Sequence, residues 1–242
     1  MPSRMTDPAT SPAIDPFCTI TACVFDAYGT LFDIASPVQR MGPRLGEKGA
    51  ELIGLWRRRQ LEYSWLRSLM NRYCDFWQIT EESLDYALGA LKFPADAGLR
   101  QDLLDTFLTL DAFPDAVQTL RLLRENGFRT AILSNGTPTM LHAAGDAAGV
   151  TPLIDLLLSV ESTGCYKPDP SVYRHAVQRL DVPPERVLFV SANGWDVAGA
   201  TAYGLRTVWI NRNGLPIEEL GLQPTATLTS LSNLVGLLRL PR

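Results

Sequence analysis

Four places along the chain carry side chains fit for chemistry. A run of apolar residues, Ala22 to Phe25, ends in an acid, Asp26, within VFDAYGTLFD. LSNG sets a hydroxyl beside an amide at Ser134 and Asn135, YKPDP carries Lys167, and SANGWDVAGA carries Ser191, Asn193 and Asp196. Each is commonplace alone: a strand-end Asp is often a turn residue, SNG often a turn before a helix, and KPDP a helix start with Pro in its first turn. Together they offer two carboxylates, an ammonium, hydroxyls and amides. Other chemistries are poorly supplied. Only two histidines, His142 and His175, are present, too few for a metal site built on imidazoles. No Gly-x-Ser-x-Gly elbow occurs, which argues against a Ser-His-Asp hydrolase. Any reaction must therefore rest on carboxylates, Lys, Arg and hydroxyls.

These residues need a frame that gathers them. Short apolar runs, at 20–26, 128–135, 153–160, 186–193 and 205–212, alternate with amphipathic stretches near 114–126, 138–148, 170–180 and 195–203. That alternation predicts an α/β fold, a parallel sheet with helices on both faces. Several runs are apolar throughout, as strands buried on both faces should be. In such sheets ligands bind at the carboxyl ends of the strands, and that is where Asp26, Ser134, Lys167 and the Ser191–Asp196 segment fall. One region breaks the rhythm. Residues 35–110, rich in Trp, Leu and Arg, read as a helical cap inserted after the first strand. The expected division is a loose tail at 1–18, a core at 19–34 and 111–242, and the cap between.

Size and composition set outer limits. The chain has 242 residues, 46% apolar and 20% charged, with a net charge of −4, an ordinary globular composition. The only basic block is Arg57-Arg58-Arg59, so neither nucleic acid nor a membrane surface is an expected partner. The first 18 residues lack the apolar stretch of a signal peptide. Cys18, Cys23, Cys74 and Cys165 lack CxxC spacing, so neither zinc nor a disulfide framework is indicated, and a cytoplasmic location fits.

The order and spacing of these motifs resemble the haloacid dehalogenase superfamily over nearly the whole chain after the tail, which implies a Rossmann-like core. DAYGTLF is similar to its first motif, whose Asp is the nucleophile; LSNG, YKPDP and SANGWDVAGA are similar to the others. Superfamily phosphatases carry a second acid two places after the first, where this chain has Tyr28. In the fourth motif only Asp196 is acidic. Mg²⁺ favours oxygen ligands with carboxylates among them, and much of that set is missing here. No metal and no cofactor is therefore expected. The cap string LWRRRQLEYSWLRSLMNRY, followed by DFWQIT, and the string FVSANGWDVAGA narrow the resemblance to the L-2-haloacid dehalogenases.

That resemblance implies hydrolysis of a 2-haloalkanoic acid to a 2-hydroxy acid and halide. Asp26 would displace halide from C2, and water would then attack the Asp26 carboxyl carbon, splitting one hard displacement into two easier steps. One inversion would turn an (S)-haloacid into an (R)-hydroxy acid. Lys167 would offset the approach of an anionic substrate to Asp26. Ser134 and N–H groups at the helix start after LSNG would bind the substrate carboxylate. Ser191 and Tyr173 would orient Lys167 and the water network, and Asn193 and Asp196 would position the hydrolytic water, with Asp196 as base. Arg57, assisted by Asn135, would stabilise the departing halide. Tyr28, Leu61, Phe76 and Trp195 would form an apolar wall. The resemblance also places Thr30 in the catalytic set and Ala27 against the substrate. Arg57 aligns with Leu61, Trp65 and Leu69 at every fourth position, while Arg58 and Glu62 read as an exposed i,i+4 pair. The family often has an uncharged residue at position 58. It also often forms homodimers, and the aromatic cap surface permits one.

Two rival readings remain at this level. One is a Mg²⁺-dependent phosphatase of the same superfamily. The other is a non-catalytic binding protein that keeps the scaffold without needing Asp26, Lys167 and Asp196 together.

Overall fold

A computed structural model describes residues 15–241. Within them the strands β1 (Ala22–Phe25), β2 (Arg129–Ser134), β3 (Leu156–Ser159), β4 (Val187–Ser191), β5 (Arg206–Ile210) and β6 (Ala226–Leu228) form one sheet in the order β3-β2-β1-β4-β5-β6. Every pairing is parallel. The central strands are buried along their length: β1 and β4 expose no residue, and only Arg129 of β2 meets solvent. That is the pattern expected of strands covered on both faces, and it explains why their sequences do not alternate.

Strand order reverses between β1 and β4. Phe25 pairs with Ile132 on one side and Val190 on the other. The backbone N–H of Asp26 donates to the carbonyl of Val190 at 2.9 Å, so the ladder runs up to the acid and stops. A crevice opens at such a switch point, beyond the carboxyl ends of the strands. It lies between Asp26 and the Ser191–Asn193 segment.

Between β1 and β2 the chain is helical, as its sequence predicts: α1 (Ser36–Leu45), α2 (Gly49–Leu69), α3 (Phe76–Ala90) and α4 (Ala97–Thr106). Asp75 and Asp96 cap α3 and α4 by accepting from the N–H groups of Gln78 and Leu99, each satisfying an otherwise unpaired helix donor. The helices α5 (Ala116–Glu125), α6 (Pro138–Ala147), α7 (Pro170–Leu180) and α8 (Gly194–Tyr203) alternate with the later strands.

Two details depart from expectation. β6, three residues at the sheet edge, has no counterpart among the five apolar runs. Residues 1–14 of the expected tail lie outside the described residues, but 15–18 belong to a turn in which Cys18 N–H donates to Asp15 O and Phe17 packs on the core. Residues 16–19 thus form a turn against the core.

Candidate active site

The first site element is the turn after β1. The carbonyl of Ala27 accepts from the N–H groups of Thr30, Leu31 and Phe32, and Gly29 adopts a φ of 90°, a conformation that a side chain disfavours. The turn folds Thr30 back so that its hydroxyl donates to Asp26 Oδ2 at 2.9 Å while accepting from Ala192 N–H at 2.8 Å. One buried hydroxyl thereby joins the ends of β1 and β4.

The second element is the Lys167 loop. Lys167 is 1% exposed, and its Nζ lies 3.1 Å from Asp26 Oδ1 and 2.8 Å from Asp196 Oδ2. Burial alone would lower the pKa of this ammonium, but Asp196 and Asp26 outweigh it and hold it above its ordinary value. The loop's position depends on Gly199 in α8. A Cβ there would stand 2.5 Å from Pro168 Cβ and 2.6 Å from the Tyr173 hydroxyl, so only glycine admits this approach.

The third element is the start of α8. Asn193 Nδ2 donates to Asp26 Oδ2 at 2.8 Å and to the Tyr28 carbonyl at 3.2 Å. Asp26 thus accepts from three side chains, which fixes the orientation of its carboxylate. Asp196 is fully buried. Burial raises its pKa, opposed by Lys167 and reinforced by Asp26, and the outcome is about 6. The expected link from Tyr173 to Lys167 is indirect: the phenol donates to Asp196 Oδ1 at 2.7 Å. Ser191 likewise does not bond Lys167; its Oγ accepts from Asn193 N–H at 3.1 Å. Both hydroxyls hold the neighbours of Lys167 and Asp26 rather than the ammonium itself, two of whose three donors go to carboxylates.

Above Asp26 lies a cavity of about 10 Å³ walled by Asp26, Arg57, Ser134 and Asn135, and by the apolar faces of Tyr28, Leu61, Phe76 and Trp195. Ala27 is not among the walls; it is buried beneath the turn that its carbonyl closes. Asn135 Oδ1 accepts from Lys167 N–H at 3.1 Å, tying the end of β2 to the lysine loop. The Tyr28 ring packs against Phe32, Phe76 and Phe107. Its hydroxyl is buried with no hydrogen-bond partner among the described residues.

The helical segment contributes Arg57, Leu61 and Phe76. Arg57 reaches the cavity from α2, and its Nη1 donates to Gln60 Oε1 at 2.6 Å. Gln60 is buried and passes its Nε2 to Thr80 Oγ1 on α3 at 2.7 Å. Sequence reasoning missed Gln60. Its one sequence signal is a polar, uncharged residue three places after Arg57, on a helix where other polar residues are mostly charged. The stripe through Arg57 holds as far as Leu61, which walls the cavity, and Trp65, which meets Trp195 edge to face at 5.3 Å. It fails at Leu69, which is exposed because the helix ends there. The expected Arg58–Glu62 pair is also absent. Glu62 bonds Arg59 at 2.6 Å instead, since i,i+3 and i,i+4 neighbours are equally within reach on a helix.

Among the described residues no group of three or more His, Cys, Asp or Glu side chains is gathered to hold a metal ion, and no helix is long and apolar enough to cross a membrane.

Comparisons with known proteins show the family. A profile for haloacid dehalogenase-like hydrolases matches residues 20–204. (S)-2-haloacid dehalogenase 1 of Pseudomonas sp. (strain CBS-3) is 50% identical over 219 residues, spanning 90% of this chain and 96% of that protein. (S)-2-haloacid dehalogenase 4A of Burkholderia cepacia is 46% identical over 220 residues, spanning 91% and 95%. The structure of L-2-haloacid dehalogenase from Xanthobacter autotrophicus with chloropropionic acid covalently bound is similar with a TM-score of 0.84 at 37% identity, covering 91% of this chain and 98% of that one. The chain belongs to the haloacid dehalogenase-like hydrolase family.

Proposed function

We propose that the protein hydrolyses (S)-2-haloalkanoic acids to (R)-2-hydroxy acids and halide through an ester on Asp26. The observation that carries this reading is a carboxylate held by Lys167, Thr30 and Asn193 at the floor of a largely apolar cavity. In water a carboxylate is a weak nucleophile because hydration stabilises it; fixed donors that replace that shell leave it oriented for attack. Two relatives are named (S)-2-haloacid dehalogenases, and one similar structure has chloropropionic acid covalently bound.

In the first step Asp26 attacks C2, the carbon–halogen bond breaks with inversion, and the electron pair leaves with the halide. Arg57 and Asn135 wall the cavity and receive the developing negative charge. In the second step water attacks the ester carbonyl, Asp196 takes its proton, and the hydroxy acid departs with Asp26 restored. Ser134 holds the substrate carboxylate, while Tyr173, Ser191 and Thr30 position their neighbours. The reaction written this way consumes only water and needs no cofactor. The phosphatase reading is less supported: position 28 presents a buried phenol where a second acid would stand, and Asp196 is bonded to Lys167 and Tyr173.

The same reading takes 35–110 as a cap over a core of 19–34 and 111–242, supported by the placement of α1 to α4 between β1 and β2. It also includes a homodimer, supported by exposed Leu66, Leu69 and Met70 at the end of α2, and a cytoplasmic location, supported by four free cysteines. Halide release from (S)-2-chloropropionate, with none from the (R) acid, tests the activity; phosphate release from p-nitrophenyl phosphate in its place would refute it.

A further inference from the structure

We propose that Tyr166 is a positioning residue for the reaction: held by the helical segment at its backbone and at its hydroxyl, it fixes the stretch of chain from which Lys167 reaches Asp26 and Asp196. The proposal rests on the dehalogenase reading above and adds a residue to its machinery.

Lys167 acts through distances, with its Nζ 3.1 Å from Asp26 and 2.8 Å from Asp196. Attraction between charges this close changes steeply with separation, so the loop that carries the ammonium has to be held firmly. From the core side, Asn135 Oδ1 accepts from Lys167 N–H at 3.1 Å. From the opposite side the hold comes through the preceding residue. Tyr166 N–H donates to Ser68 Oγ on α2 at 3.0 Å, and its phenol donates to the Cys74 carbonyl, between α2 and α3, at 2.6 Å.

Both partners are themselves fixed. The Ser68 hydroxyl gives its proton to the Ser64 carbonyl one turn earlier, at 3.0 Å, which leaves its oxygen to accept from the loop N–H. The Tyr166 ring is 1% exposed and lies beside Tyr73, stacked at 5.1 Å, and Phe76, tilted at 5.7 Å. Phe76 also walls the reaction cavity. Burial pushes the pKa of the phenol up, so it stays a donor. A ring that served packing alone would need no hydroxyl, and this hydroxyl is tied to the turn that joins α2 to α3. Neighbouring residues of one loop therefore face opposite ways, Tyr166 into the helical segment and Lys167 into the carboxylates.

Tyr166→Phe keeps the ring and removes its hydroxyl; Ser68→Ala removes the acceptor of the loop N–H. Neither residue is among the walls of the reaction cavity, and circular dichroism establishes that each variant is folded. The readout is the titration of Asp196, whose pKa Lys167 pulls down against burial and Asp26. An ammonium displaced by about 1 Å should move that titration upward by on the order of half a pH unit or more. It is read twice: as the acid limb of kcat for bromoacetate, and without turnover as the infrared carboxyl band that Asp196→Asn abolishes. Above the limb kcat should fall roughly two- to tenfold, the worth of one neutral hydrogen bond. A contact that only stabilised the fold would lower the melting temperature and leave the titration in place. An upward shift in either variant supports the proposal; a titration at the wild-type pH in every folded variant overturns it. A wild-type protein that releases no halide from bromoacetate overturns the dehalogenase reading instead, and the infrared titration still decides the role of Tyr166.

Discussion

The Arg57 guanidinium is held by Gln60, whose side-chain oxygen accepts from Nη1 at 2.6 Å. Gln60 is in turn anchored across the helix pair by Thr80, 2.7 Å from its amide nitrogen. Arg57, the one cation among the described residues that reaches the reaction cavity from the helical segment, is therefore aimed by a buried amide relay between α2 and α3.

Removing that relay should cost activity without removing Arg57. Gln60→Leu keeps the volume but frees the guanidinium, and a hydrogen bond to a charged group is worth about 1.5–3 kcal/mol. The expected result is roughly a ten- to hundredfold lower kcat, larger for chloro- than for iodoacids, because the poorer leaving group depends more on stabilisation of departing charge. An equal loss for all halogens, measured by steady-state halide release, would contradict the positioning role.

Asp196 should set the acid limb of the pH profile. Its carboxyl is pushed up to about 6 by burial and Asp26, against the pull of Lys167. Below that value it is protonated and cannot accept a proton from water, so kcat should fall about tenfold per pH unit. Asp196→Asn should flatten that limb at a level on the order of 10²–10⁴ lower. Stopped-flow release of hydroxy acid from pH 5 to 9 reads both.

Lys167→Met leaves Asp26 and Asp196 buried without their shared cation. Breaking a buried pair in this way costs about 3–5 kcal/mol. Without the ammonium, burial and the neighbouring Asp26 hold the folded-state pKa of Asp196 still further above its unfolded value. Stability is then fullest below the unfolded pKa and is lost as pH rises through the folded one. The melting-temperature deficit against wild type should therefore be smaller at pH 5 than at pH 8; a deficit independent of pH would contradict this.

Gly199→Ala places a methyl group 2.5 Å from Pro168 Cβ and 2.6 Å from the Tyr173 hydroxyl. Overpacking of this kind costs about 1–3 kcal/mol. Because the displaced groups belong to the Lys167 loop and the Asp196 contact, activity should fall further than stability alone explains, measured as kcat in samples shown to be folded by circular dichroism.

Much of this was legible in the residues because the core strands are buried on both faces and so spell continuous apolar runs. The same burial placed Asp26, Ser134 and Ser191 at recognisable strand ends. β6 was not legible: three residues at a sheet edge, with Thr227 exposed between half-buried Ala226 and Leu228, carry no such run. The cap partners were harder still. Sequence spacing leaves both i,i+3 and i,i+4 pairs open, so it could not show that Glu62 turns to Arg59. Gln60 is read as an ordinary polar helix residue until α3 is seen to cover it. Tyr28 was legible as an aromatic wall, but that its hydroxyl lacks a partner depends on Phe32, Phe76 and Phe107 packing around the ring.

The proposed reaction turns on a bond between Asp26 and the substrate carbon. A single turnover of (S)-2-chloropropionate by excess enzyme in ¹⁸O-labelled water, followed by mass analysis of the peptide containing Asp26, tests it most directly. The label should enter the Asp26 carboxylate, and the hydroxy acid released in that first turnover should be unlabelled. Label in the hydroxy acid with an unlabelled Asp26 would show that water attacks C2 directly.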